Sequence, residues 1–308
     1  MRFKKTYIGI VFILLSPCLR AQENLDSLLN LIMGEETEIV AYTFKSTRII
    51  STHSIERMQH RDLDFRVSHR FGKLNSGSYN FFGLDQSNSQ LGLEYGVTDW
   101  LMVGIGRGTF NKTVNSFAKF SLLRQKKGGE NCPVSLSLFS GIFINTTKFT
   151  DTTRLNYFTS RLSFANQILI ARKFNERLSL QFSPTMIHRN LVPFESDPND
   201  LFAAGFGGRY KFSNRFALTF EYFAIFPKSS GSMIYTNPLS IGVDIETGSH
   251  VFQIFLSNCT AMAEPQIIGE SDGLWLNGDI HLGFNISRVF TLKGKEFEEK
   301  SKKRLHAN

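Results

Sequence analysis

Between residues 61 and 290 apolar side chains recur at every second position, and the parity of that alternation survives the turns. In "LGLEYGVTDWLMVGIG", 91 to 106, the apolar set Leu91, Leu93, Tyr95 and Val97 stops for three residues and resumes at Leu101, Val103 and Ile105. The segments "V-TDW-L", "F-NER-L" (174–178) and "F-SNR-F" (212–216) all join an apolar position to an apolar position across three turn-tolerant residues, which keeps both strands of a hairpin apolar on one face. At "IETGSHVF" the apolar set moves from odd to even numbers, as a two-residue turn requires, and Thr247-Gly248 is the expected pair. The opposite face of the first example reads Gly92, Glu94, Gly96, Met102, Gly104 and Gly106. Small residues make a poor water-facing surface, so the apolar side is the one that needs an explanation.

About twelve such segments follow one another, each near the length of a tilted strand crossing a bilayer. Short connections alternate with longer ones at 73–88, 145–155, 189–200, 227–238 and 258–274. Thirty Phe residues are dispersed, and no apolar run of roughly 18 residues lies beyond the N-terminus, which argues against spanning helices. The predicted fold is all-β: a transmembrane antiparallel up-and-down β-barrel over 61–290. A ring of strands can face hydrocarbon because closure pairs every backbone group. Tyr95, Trp100, Tyr157, Tyr210 and Tyr222 are expected in the aromatic girdles. A soluble lipocalin-like barrel would instead turn Leu93, Val103, Phe164, Phe220 and Ile254 inward.

Arg2, Lys4 and Lys5 ahead of "YIGIVFILL" predict a signal peptide over 1–21, hence export and an outer-membrane location. Its removal, together with Arg20, lowers the formal charge from +8 to +4, too little to imply nucleic acid. Residues 22–60 are expected in the periplasm, beginning with a short amphipathic helix (Leu25, Leu28, Leu29, Ile32) that docks loosely in preference to plugging the barrel. The tail 291–308 is charge-rich and expected to be solvated in the periplasm. Phe290 closes the last strand as a terminal aromatic, a feature typical of strands recognised by the outer-membrane assembly machinery. Cys132 and Cys259 fall at opposite ends of the barrel, which disfavours a disulfide.

The words "TFKSTRII" (43–50), "LDFRVSHRFGKLNSG" (63–77), "FGLDQ" (82–86), "LGLEYGVTDWLMVGIGRG" and "GVDIETGSHVFQIFLSN" (242–258) resemble an uncharacterised outer-membrane β-barrel family of Gram-negative bacteria, a domain of unknown function. The resemblance implies the fold and the membrane and brings no catalytic residue.

Alternation assigns a charged inner face: Asp62, Asp64, Arg66, Arg70, Glu94, Lys119, Arg161, Arg209, Glu221, Asp244 and Asp279, with Glu246 and with His281 beside Asp279. These charges either sort solutes in a polar conduit or pair with one another and stiffen a narrow barrel, and their interspersed signs favour pairing. No cofactor or metal motif is present, and the histidines lack a metal-ligand spacing. The functional expectation is a passive channel or transporter for small solutes, and not an enzyme. A structural or adhesive barrel acting through its outer loops is the alternative, and a hydrolase using His281 or His188 with a serine is a distant third. A clear polar bore would favour the channel; a filled one would count against it.

Overall fold

The computed structural model describes residues 37–292 except 150–152, 154, 193, 228, 231, 232 and 249. The signal peptide, the helix expected at 22–35 and the tail beyond residue 292 lie outside the described residues. Twelve strands close into one barrel: β1 (Asp62–Lys73), β2 (Ser87–Gly96), β3 (Leu101–Gly108), β4 (Val114–Leu123), β5 (Ser135–Ile144), β6 (Leu162–Lys173), β7 (Leu178–Arg189), β8 (Asp200–Lys211), β9 (Phe216–Phe226), β10 (Leu239–Thr247), β11 (His250–Ser257) and β12 (His281–Thr291). Each pairs antiparallel with its neighbours in sequence, and β12 closes the ring on β1, with Phe290 opposite Leu63.

The turn chemistry explains the register. Val97 N donates to Leu101 O (3.0 Å), Phe174 N to Leu178 O (2.9 Å) and Phe212 N to Phe216 O (3.2 Å), so the three similar turns close in the same way. Between β10 and β11, Thr247 pairs with His250, so Thr247 belongs to the ladder and the turn begins one position later than the expected Thr247-Gly248 pair. Gly248 has φ +58°, a left-handed conformation that suits glycine. The last strand also starts later than the alternation suggests: Leu276 lies in the preceding loop, fully exposed.

Leu93, Val103, Phe220 and Ile254 are exposed on the outer wall, where hydrocarbon receives them. Trp100, Tyr157 and Tyr210 are exposed as well. No helix among the described residues is long and apolar enough to cross a membrane, so the strands make the crossing.

One expectation fails inside the ring. Part of the segment expected in the periplasm, residues 43–55, is buried in the barrel: Phe44, Thr47, Ile49, Ile50, Thr52, His53 and Ser54 are at most 2% exposed. The inner-face glycines make space for it. A Cβ on Gly96 would collide with the carbonyl oxygen of Gln59, and one on Gly207 with Ile49 Cδ1. Their role is close approach of the incoming chain. Just before this plug, Glu38–Ile39 pairs with Lys126–Lys127 of the β4–β5 turn, anchoring the segment at the end of the barrel that carries the tight turns.

Candidate functional site

The plug enters the barrel as irregular, bent chain, and its peptide groups need partners because they leave water without joining the wall's ladder. Two short-range bonds fold its tip into a tight loop, Ile49 N to Thr52 O (3.0 Å) and Ser54 N to Thr47 O (2.9 Å). Side chains of the wall satisfy much of the remainder. Glu221 of β9 presents one carboxylate oxygen, Oε2, to the amides of Ile50 (3.2 Å), Ser51 (3.2 Å) and Thr52 (3.1 Å). From the far side of the ring Lys119 of β4 donates to the carbonyls of Thr47 (3.2 Å), Ser54 (3.0 Å) and Glu56 (2.7 Å). Gln253 Nε2 donates to Ile49 O (2.6 Å), Asn285 Nδ2 to Ile50 O (2.8 Å) and Gln181 Nε2 to His53 O (2.8 Å). The loop is therefore gripped through its main chain from several strands.

A charged network continues upward. Glu94 accepts from Thr47 Oγ1 (2.5 Å) and from Arg48 Nε (3.5 Å). Arg66 donates to Asp64 (3.2 Å), Ser46 Oγ (2.7 Å) and Thr47 Oγ1 (2.9 Å). Arg48 also reaches Glu264 (3.0 Å), which belongs to a second occluding element. This is the short helix α1 (Glu264–Gly269), carried by the β11–β12 outer loop and buried throughout its length. Gln266 Nε2 fastens it to Thr113 Oγ1 (2.7 Å), and Arg189 reaches Gly269 O (3.3 Å). A plug from one end and a loop from the other thus meet at the Arg48–Glu264 pair inside the barrel.

His53 lies at this junction, fully buried, 4.5 Å from the Phe117 ring and 4.2 Å from the Phe139 ring. Burial, reinforced by Arg48, Lys119 and Arg66, holds its imidazole well below the usual histidine range. Burial pushes the Glu264 carboxyl up, against the opposing pull of Arg48.

Of the twelve residues expected along the lumen, Asp64, Arg66, Arg70, Glu94, Lys119, Arg209, Glu221, Asp244 and His281 have buried side chains on the inner face. Three differ. Asp62 sits at the inner rim on Thr291 Oγ1 (2.7 Å). Arg161 precedes β6 at the outer rim and donates to the carbonyls of Asn145 and Thr147. Asp279 lies in the loop before β12, where it meets Lys73 (3.3 Å) and Asn75 (3.0 Å) instead of His281. His281 is bonded to Phe71 O (3.0 Å), so the expected Asp279–His281 pair does not form. Arg209 faces Asp244 (3.5 Å) and Glu246 in a separate cluster. His188 meets Asp200 (2.7 Å) at the exposed outer rim, and neither it nor His281 has a serine partner among the described residues.

Sequence reasoning missed Arg48, His53, Glu56 and Glu264, because alternation cannot assign a face to residues outside strands. The inner-face glycines were the available signal.

Two comparisons with known proteins bear on this architecture. Residues 44–290 match the family model described as a membrane bound beta barrel domain (DUF5777), and the match begins at the plug and not at the first strand. Among solved structures the chain is similar to the NanC porin (TM-score 0.48, 8% identity, 75% of this chain and 100% of that one). It is also similar to the KdgM porin (0.45, 7%, 74% and 99%) and to an outer membrane channel from Pseudomonas putida F1 (0.46, 14%, 76% and 97%). No curated protein matches the sequence. With a closed ring of strands whose outside is apolar and a family match over most of its length, the chain is a membrane-spanning β-barrel and belongs to the membrane bound beta barrel family DUF5777.

Proposed function

We propose that the protein is a gated channel for small polar solutes, resting with its bore occupied. The passive, permanently open version of that reading loses support: inner-wall side chains such as Lys119, Leu169, Ile187 and Ile225 are 0% exposed, whereas a water-wide bore would wet them. The observation that carries the gated reading is the composition of the wall behind the plug. Ser137, Gln167, Ser179, Gln181, Ser183, Thr185, Thr219, Gln253 and Asn285 line it, each at most 4% exposed. Among the described residues Ser137 Oγ, Gln167 Oε1 and Gln181 Oε1 are buried without a protein partner. A wall built only to hold the plug would satisfy or omit such groups, since burying an unpaired polar atom is costly. A wall that water and solute contact in another state would keep them.

The test is planar-bilayer conductance and liposome swelling, comparing the intact protein with a variant in which residues 43–58 are replaced by a Gly/Ser linker of equal length. The intact protein is expected to be mostly silent and the variant to pass steady current and small sugars. A variant that inserts with barrel-type heat-modifiable mobility yet passes neither current nor solute would overturn the reading.

A further inference from the structure

We propose that the barrel binds a monatomic anion of chloride size between Arg66 and Arg70 of β1 and the tip of the plug. A cavity of about 20 Å³ lies there, bounded by Arg66, Ser68 and Arg70 on the wall and by Arg48 and Ser51 on the plug. Three guanidinium groups line it against a single carboxylate, Glu94.

Arg70 is the group that requires a counter-charge. It is 1% exposed and has no carboxylate within 4.0 Å among the described residues, unlike Arg48, which reaches Glu94 and Glu264, and Arg66, which reaches Asp64. Its Nη atoms donate to neutral acceptors: His69 O (3.0 Å), Asn285 Oδ1 (3.1 Å) and Ser51 Oγ (3.2 Å), while its guanidinium carbon stands 4.0 Å from the Phe255 ring centroid. Arg70 Nε is buried with no protein acceptor, whereas Arg66 Nε, also without a hydrogen bond, still faces the Glu94 carboxylate at 4.0 Å. A guanidinium stays charged, and a buried charge without an opposite partner is strongly unfavourable. An anion in the adjacent cavity supplies that partner. Ser51 already accepts a bond from Arg70, so its own hydroxyl proton is free to point at the anion.

Volume sets the class of ligand. A single water occupies roughly 10–15 Å³ on this measure, so about 20 Å³ admits one monatomic ion and excludes a phosphate or an organic acid. The cavity has plug residues as one of its sides, so it exists only while the plug is docked. Anion binding must then hold the plug in place by mass action. This inference needs the docked plug and stands whether or not the barrel conducts.

The full-length protein in detergent should be titrated with sodium chloride against sodium gluconate at constant ionic strength, following hydrogen exchange of residues 43–58, and crystals should be soaked in sodium bromide. Expected are an anomalous bromide peak within bonding distance of Arg70 and a saturable slowing of plug exchange, about 100-fold at chloride 100 times its Kd. Arg70→Gln should abolish the chloride dependence. Should that variant fail to fold, Ser51→Ala, which leaves the wall intact, should weaken it. Plug exchange indifferent to chloride in the natural protein, no bromide peak, or an equal chloride effect in the folded variants would overturn the proposal.

Discussion

Replacing Glu221 by Gln should loosen the plug while leaving the barrel intact. One carboxylate oxygen takes three amide donors, from Ile50, Ser51 and Thr52, at 3.1–3.2 Å. Hydrogen bonds to a charged acceptor contribute about 1.5–3 kcal/mol each and neutral ones about 0.5–1.5, so a glutamine carbonyl in the same place loses about 1 kcal/mol per bond. Three bonds to one atom do not add fully, and a total of about 2–3 kcal/mol is reasonable. That corresponds to a roughly 30- to 150-fold rise in the undocked population. The strand itself should be spared, because the main-chain pairings of position 221 with Gly207 and Ser240 do not involve the side chain. Hydrogen exchange read peptide by peptide separates the two effects. Amides in 43–58 should exchange faster by that factor, with β8, β9 and β10 unchanged, and bilayer recordings should show more frequent openings. Unchanged protection in 43–58, or equal acceleration across β8–β10, would refute the claim that Glu221 acts by gripping the plug.

Arg48→Met should be more damaging, by about 3–5 kcal/mol of docking free energy, because it strands Glu264 as a buried charge and leaves Glu94 with only Thr47 and Arg66; a double variant with Glu264→Gln should recover part of the loss, measurable as coupling in a mutant cycle. His53 gives a pH signature. Its docked pKa is depressed, so the docked state is favoured above the undocked value of about 6.5 and loses stability as pH falls below it, by roughly 1 kcal/mol at pH 5.5. The plug exchange of the natural protein should accelerate between pH 7.5 and 5.5 relative to His53→Phe, and identical profiles would contradict the assignment. Gly96→Ala places a methyl group against the Gln59 carbonyl and should cost about 1–3 kcal/mol at the point where the plug enters, seen as faster exchange near residue 59. Ile254→Arg puts a charge on the outer wall and should lower barrel stability in bilayers by up to about 2–4 kcal/mol, whereas a soluble barrel would tolerate it.

The ring was legible because period-two patterning and turn length constrain each other. At Val97–Leu101, Phe174–Leu178 and Phe212–Phe216 an error of one residue would have exchanged the apolar and polar faces, so parity at successive turns checks itself. Inner charges such as Glu94, Lys119 and Glu221 were assigned by the same rule and lie inside. Asp279 and Arg161 were misplaced because the alternation was extended past strand ends, where the chain has already turned into loops. The plug was not legible at all from its own residues. "TFKSTRIISTHSIE" is polar, mixed and aperiodic, and its order comes from partners 19 to 235 positions away, including Arg66, Lys119, Glu221 and Asn285.

The way those partners hold the plug bears on why it is there. A permanent filler is most simply built from apolar side chains, and the barrel does bury Phe44, Ile49, Ile50 and Ile55 against Met102, Phe117, Phe139 and Phe223. Fixing the backbone of a dozen residues costs about 1–2 kcal/mol each, so four such side chains at about 1.5–3 kcal/mol each do not by themselves offset it. What decides the balance is the set of wall side chains bonded to plug carbonyls and amides. Each of those bonds exchanges against water with a net gain of only about 0.5–1.5 kcal/mol, or somewhat more where the wall group is charged. Docking by many small, water-exchangeable terms gives an occupant that is ordered at rest and within reach of release when a few terms are removed together.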